Sequence, residues 1–271
     1  MLASVLIFMV PTTSGFIAGV VLYRRKRFVR AYRAMAWRLT LVSGIIPLVL
    51  LSAVIIANVR WLTLQGPAEW FGFGLGFLLL IGARVIGTFI FACVGGYFAT
   101  RYHIVYSRAI MPRIRRRTAS LTIADIAGWP LLVVAISVAW TVLIADLTGF
   151  IPEIDVTHAE FLQQEVGIRY GANLQLVVVL ASMVIYEEIV YRMGMQGLLL
   201  PLFRGRTWAA VLAASIIFTF AHYDPQIGTI LYRYIQIFPL GLALGVLYFR
   251  RGIESAIIAH AVFNAAVFLI Y

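Results

Sequence analysis

The sequence has few charged residues, few histidines and a single cysteine. Only 12% of its 271 residues are charged, whereas 62% are hydrophobic. A soluble domain has about half apolar and a quarter charged residues, so this composition argues against a soluble protein. Cys93, being the only cysteine, forms no internal disulfide and no cysteine metal site. Four histidines are too few for a membrane di-iron oxygenase.

The apolar residues lie in long blocks, each about the length needed to cross a hydrocarbon layer of roughly 30 Å. Every backbone polar group must be paired internally in lipid, so such blocks predict helices. The sequence therefore predicts an all-α, polytopic membrane helix bundle of about eight transmembrane helices. The predicted spans lie near 2–22, 39–59, 71–98, 121–148, 172–200, 208–222, 230–249 and 253–271.

The formal charge of +11 lies mainly in short loops between alternate spans. Arginine-rich loops at 23–38 and 100–119 contrast with an acidic loop at 149–171. Because basic loops stay on the cytoplasmic side, both termini are expected outside. The pattern predicts an integral, multi-pass protein of the cell membrane. The basic loops are expected to meet anionic membrane lipids and not nucleic acid.

The acidic loop also divides the chain. An N-terminal four-helix membrane region, 1–171, is expected to precede a C-terminal four-helix domain, 172–271. Gly241 and Gly245 form a small-xxx-small pair, which predicts a close helix contact. Arg84 lies in the middle of the third span. It is expected to form a structural ion pair, with binding of a substrate carboxylate as the alternative.

Polar side chains are concentrated in the C-terminal spans. A charge near the bilayer centre costs several kcal/mol, so such residues usually face a protein interior or a cavity. These spans place six of them in apolar surroundings: Glu187, Glu188, Arg192, His222, His260 and Asn264.

The spacing of these residues assigns them to helix faces. Glu188 and Arg192 are four residues apart, so they share one face and are expected to pair. Glu187 points about 100° away from Glu188 and faces a different direction. His260 and Asn264 also share a face. Side chains from three helices are therefore expected to converge in one pocket.

The chemistry of these side chains indicates hydrolysis. A carboxylate beside an imidazole can hold a water and take its proton as the water attacks a peptide carbonyl. Glu187 and His222 suit that role. A second imidazole and an amide can donate hydrogen bonds to the oxyanion that develops, which suits His260 and Asn264.

Three motifs, EExxxR, FxxxH and HxxxN, stand in this order on separate C-terminal helices. They read Glu187-Glu188-xxx-Arg192, Phe218-xxx-His222 and His260-xxx-Asn264. Together they resemble the CAAX prenyl endopeptidase type, or CPBP family (CAAX proteases and bacteriocin-processing enzymes). The resemblance covers about residues 172–271. It implies an eight-helix bundle open to the membrane and cytoplasm, the catalytic roles given above, and supporting roles for Glu188, Arg192 and Phe218.

The resemblance leaves the metal and the substrate open. If a divalent metal such as zinc is used, Glu187, His222 and His260 are the expected ligands. The sequence has no HExxH helix, and a metal-free glutamate mechanism fits the same side chains. The implied substrate is a lipidated CAAX-type protein or a membrane peptide. The alternative function is a transporter or proton relay, since buried acids and histidines also mark ion pathways.

Overall fold

The computed structural model describes residues 36–42, 85–98, 101–102, 122–148, 184–222 and 230–270, with single positions 17, 45, 49 and 82. These residues are helical almost throughout and include no strand, which confirms the predicted all-α class. The helices that position the site are α1 (Val85–Phe98), α2 (Ala124–Thr148), α3 (184–202), α4 (Thr207–Ala221), α5 (Ile230–Arg251) and α6 (Ile253–Ile270).

Helix α2 has the character of a membrane span. Among the described residues it is the one helix long and apolar enough by itself to cross a membrane. Its outward side chains are apolar as well, with Ile136 63% and Leu147 72% exposed. Extended apolar surface of this kind marks contact with lipid or a partner, in agreement with a helical membrane bundle. Shorter apolar helices are Val85–Phe98, Thr207–Ala221 and Ile253–Val267.

The helix limits agree with the predicted spans where both are known. Helices α2, α4, α5 and α6 begin and end within about three residues of the spans read from apolar block length. The acidic loop 149–171 and Arg84 lie outside the described residues, as do most of 23–38 and 100–119. The orientation, the division of the chain near residue 171 and the role of Arg84 therefore stay predictions.

Helix α5 packs against α2, α4 and α6, and its glycines bring α4 unusually close. A Cβ added at Gly241 would lie 3.2 Å from Cδ1 of Phe218, and one at Gly245 would lie 2.9 Å from Cγ1 of Val211. The close contact predicted for this small-xxx-small pair is confirmed. It fixes α4, and with it the histidine that follows α4, against the centre of the bundle.

The junction between α5 and α6 is a single residue. Gly252 has a φ of 103°, a conformation that residues with a side chain rarely adopt. The start of α2 is attached to this junction. Nη1 of Arg251 lies 3.4 Å from Oδ1 of the fully buried Asp125, and Ser255 Oγ donates to the Asp125 carbonyl at 2.6 Å. The position of α6 is thereby set by α2 as well as by α5.

Pro239 breaks the hydrogen-bond ladder of α5. Proline has no N–H, so the carbonyl four residues earlier, that of Ile235, loses its helical donor. Trp140 of α2 replaces it, since its indole Nε1 donates to the Ile235 oxygen at 2.7 Å. An unpaired carbonyl in hydrocarbon costs several kcal/mol, so this bond stabilises α5 and joins it to α2.

The contact between Trp140 and Ile235 can be tested by a double-mutant cycle. Trp140→Phe removes the donor and is expected to lower the free energy of unfolding by about 1–3 kcal/mol. In a Pro239→Ala background the restored backbone N–H satisfies the same carbonyl, so the loss should be smaller. Thermal unfolding in detergent measures both, with Trp208→Phe, 61% exposed on α4, as control. An equal loss in both backgrounds would contradict the assignment.

Candidate active site

Two adjacent glutamates of α3 have different environments. The Glu188 side chain is fully buried, whereas that of Glu187 is 31% exposed. Directly after them the backbone widens into a π-helical turn, Ile189–Met195. Such turns are rare and are often found at functional sites. The two carboxylates therefore serve different surroundings, as the angle between neighbouring helical residues predicts.

The carboxylate of Glu187 lies close to two imidazoles. Its Oε2 is 3.7 Å from Nε2 of His222 and 3.9 Å from Nε2 of His260. The histidines follow α4 and lie within α6, respectively, so three helices meet at this point. The structure thus brings together three of the four side chains predicted as catalytic.

The orientation of His222 is fixed by the end of its own helix. His222 follows the last residue of α4, and its Nδ1 lies 2.7 Å from the carbonyl oxygen of Phe218. A carbonyl only accepts, so Nδ1 carries the hydrogen and donates it. In the neutral ring Nε2 is then an acceptor, and this is the atom that faces Glu187.

Glu188 fixes the orientation of the second histidine, His260, as the Phe218 carbonyl fixes that of His222. Its Oε1 accepts from Nδ1 of His260 at 2.8 Å, and its Oε2 accepts from Nε of Arg192 at 3.1 Å. The Glu188–Arg192 pair has the i,i+4 spacing on which it was predicted. The bond to His260 was not predicted, because it joins two helices whose relative rotation is absent from the sequence. It leaves Nε2 of His260 directed at Glu187.

The ring of Phe218 is the apolar centre of the site. Its centroid lies 4.2 Å from the ring of His222 and 5.6 Å from that of His260. Cζ of Arg192 lies over the same ring at 4.5 Å, close enough for a cation–π attraction. Tyr191 contacts it edge-on at 5.2 Å. Sequence analysis predicted a supporting role for Phe218. It did not single out Tyr191, which occupies an unspecified position of the EExxxR motif.

Asn264 lies on α6 one turn beyond His260 and is partly exposed. It makes no hydrogen bond with the residues that the structure describes. Its position on the helix face of His260 is the one expected from the spacing of the two residues.

Further polar side chains are buried on α3 beyond Glu188. Nη1 and Nη2 of Arg192 and Oε1 of Gln196 are buried, and none has a hydrogen-bond partner among the described residues. Nε2 of Gln196 donates to the Gly245 carbonyl at 3.4 Å. Arg192 is therefore attached to the site through Nε and through the face of Phe218.

The three side chains named as possible metal ligands do not fit a metal ion as they are placed. Ligand atoms at about 2.0–2.1 Å from a tetrahedral zinc lie roughly 3.3 Å from one another. Here Oε2 of Glu187 is 3.7 and 3.9 Å from the two Nε2 atoms. The described part of the chain contains no group of three or more His, Cys, Asp or Glu suited to hold a metal. No metal is therefore used in the mechanism below.

Ionisable side chains within a membrane bundle usually mark a functional site. Residues 170–266 match the family described as type II CAAX prenyl endopeptidase Rce1-like. This C-terminal region is therefore similar to the CAAX protease family, as the three motifs predict, and the match supports a CAAX-type intramembrane endopeptidase in general. Neither the curated proteins nor the solved structures gave a match to the chain.

The two glutamates should differ in their effect on stability. Glu188→Gln removes the charge that faces Arg192 and His260, and breaking a buried pair by removing one partner costs about 3–5 kcal/mol. The same change at the partly exposed Glu187 should alter the free energy of unfolding by only about 0.5 kcal/mol. Thermal unfolding of both variants in detergent measures the difference. Equal stabilities would show that Glu188 is not the central structural charge.

Proposed function

We propose that this protein is an intramembrane endopeptidase in which Glu187 activates a water molecule against a peptide bond. The observation that carries the proposal is the 3.7 Å separation between Oε2 of Glu187 and Nε2 of His222. Two polar atoms at this distance do not bond directly, and a single water can bridge them. General bases commonly act through one positioned water. The family match favours this reading over a transporter or proton relay.

The hydrogen positions favour a water between these two residues. The Glu187 carboxylate is an acceptor, and neutral His222 with its hydrogen on Nδ1 offers a second acceptor at Nε2. One water can donate a hydrogen to each. Its oxygen lone pairs are then directed away from both side chains and toward a substrate carbonyl.

The reaction follows from this arrangement. The water oxygen forms a bond to the carbonyl carbon while the C=O π electrons move to the carbonyl oxygen. Glu187 takes the proton that the attacking water releases. When the tetrahedral intermediate collapses, the C–N bond breaks and Glu187 returns the proton to the departing amine. Glu187 thus ends the cycle as a carboxylate.

His260 and Asn264 are proposed to stabilise the oxyanion. Nδ1–H of His260 is already used by Glu188, so His260 can donate from Nε2 only as an imidazolium. Asn264, one turn further along α6, supplies a neutral amide donor. Preorganised donors of this type act on the charge that develops in the transition state.

The residues proposed to react are partly exposed to solvent, whereas the residues that hold them in place are buried. The side chains of Glu187 and His222 are 31% and 26% exposed, whereas those of Glu188 and Arg192 are fully buried. A substrate can therefore reach the proposed base without displacing the buried ion pair. The proposed substrates are lipidated proteins of the CAAX type or membrane peptides, bound from the cytoplasmic side of the cell membrane.

A peptidase assay tests the proposed base and substrate together. The protein in detergent should cleave a prenylated CAAX peptide faster than its unprenylated twin. Glu187→Gln should lower turnover by about 10²–10⁴, the usual contribution of a general base. Asp146→Asn makes the same chemical change at an exposed residue of α2 and serves as the control. A folded Glu187→Gln variant with normal turnover would refute the role of Glu187.

Asn264→Ala tests the oxyanion site. Loss of one donor of this kind typically lowers turnover by about 10²–10³. Substrate affinity should change far less, because the ground-state carbonyl carries little negative charge. The double change with His260→Ala should cost less than the product of the two single losses. Steady-state kinetics give both parameters, and normal turnover of Asn264→Ala would reduce the residue to a helix contact.

A further inference from the structure

We propose that α1, which lies outside the family match, is a positioning element of the active site. Its Phe91 and Gly95 hold the π-helical turn of α3 in the register that aims Glu187 and Glu188. This inference depends on the proposed function only in that the site must be the active site for its positioning to affect catalysis. The packing on which it is based is independent of the reaction.

Contacts between α1 and the π-helical turn are too close for any larger side chain. A Cβ added at Gly95 would collide with the backbone carbonyl of Met193, and one at Gly194 would collide with the ring of Phe91. A Cβ added at Gly197 would lie 3.2 Å from Cα of Gly95. Phe91 and Met193 are both fully buried. The two helices therefore interlock, backbone against backbone, along one turn of each.

The direction of α1 extends this contact toward the glutamates. A Cβ added at Gly87 would lie 2.9 Å from the hydroxyl oxygen of Tyr186, the residue before Glu187. The contacts thus follow the same direction along both helices, from Gly87 to Gly95 on α1 and from Tyr186 to Gly197 on α3. The helices run parallel, as the third and fifth spans of an alternating bundle must. They pack over the whole stretch that carries the glutamate pair.

The π-helical turn needs such support because it is intrinsically unfavourable. Most π-helices are single-turn bulges inside α-helices, whereas Ile189–Met195 spans seven residues. Converting the turn to regular α-helix would rotate the part of α3 that precedes it by about 100°, the angle of one helical residue. Glu188 would then leave Nδ1 of His260, 2.8 Å away. Clamping the turn from α1 prevents this rotation.

The test is a change of Gly95 with a readout at the two histidines. Gly95→Ala places a methyl against the Met193 carbonyl, while Gly82→Ala is the control because its Cβ meets no atom of the described residues within 4 Å. Nitrogen NMR of the histidine rings reports whether Nδ1 carries a hydrogen and whether that hydrogen is bonded to an acceptor. In Gly95→Ala the His260 signal should lose that signature, since its partner Glu188 moves. His222 should keep its own, because its partner is the Phe218 carbonyl of α4.

Peptidase kinetics supply the second readout. A misplacement of about 1 Å can cost roughly 10²-fold in turnover, so kcat should fall by about that factor in Gly95→Ala with little change in KM. Unaltered signals for both histidines would overturn the proposal. Equal loss of both signatures would also overturn it, since the effect would then be general unfolding. If the wild type lacks activity, the proposed function fails, while the NMR comparison still decides the role of α1.

A second pair of variants covers the case in which Gly95→Ala does not fold. Gly194→Ala places its methyl against Phe91, whose Cδ1, Cγ and Cβ are the nearest atoms, so it should reproduce the loss at His260. Adding Phe91→Gly removes all three of these atoms, including the Cβ at 2.9 Å. The double variant should regain the His260 signature relative to Gly194→Ala. Failure to regain it would show that the π-helical turn is not held by α1.

Discussion

The carboxylate of Glu188 is the constraint on which the rest of the site depends. A fully buried charge is tolerated only when it is paired and hydrogen-bonded, and its donors come from two helices. Arg192 on α3 supplies one at 3.1 Å and His260 on α6 the other at 2.8 Å. These two hydrogen bonds together fix the rotation of α6 relative to α3. The distance between Glu187 and Nε2 of His260 follows from that rotation.

The same requirement, applied to the backbone, explains how the helices around the site are joined. Lipid offers no hydrogen bonds, so each group that loses its partner within a helix must find one on a neighbour. The Ile235 carbonyl accepts from Trp140, and Asp125 of α2 accepts from Ser255 of α6 through its carbonyl and pairs with Arg251 of α5 through its carboxylate. Each of these contacts is polar and joins specific atoms. They give the bundle a defined register.

Sequence was sufficient for some of these features and insufficient for others, for physical reasons. Apolar block length predicts the helix limits because the bilayer fixes the span, and i,i+4 spacing predicts the Glu188–Arg192 pair. The bond from His260 to Glu188 depends on the rotation between helices, which no local pattern encodes. Pro239 identifies the carbonyl that lacks a donor, but not Trp140 as its replacement. The π-helical turn likewise has no signature in local propensity.

The indole of Trp140 has a further consequence for how the chain can be divided. It lies on α2, outside residues 170–266 that carry the family match, yet it satisfies a backbone carbonyl inside them. A polypeptide reduced to the matched segment would expose that carbonyl to hydrocarbon and would leave Arg251 without the Asp125 carboxylate. The smallest autonomous unit of this fold in a bilayer is therefore longer than the matched segment, residues 170–266.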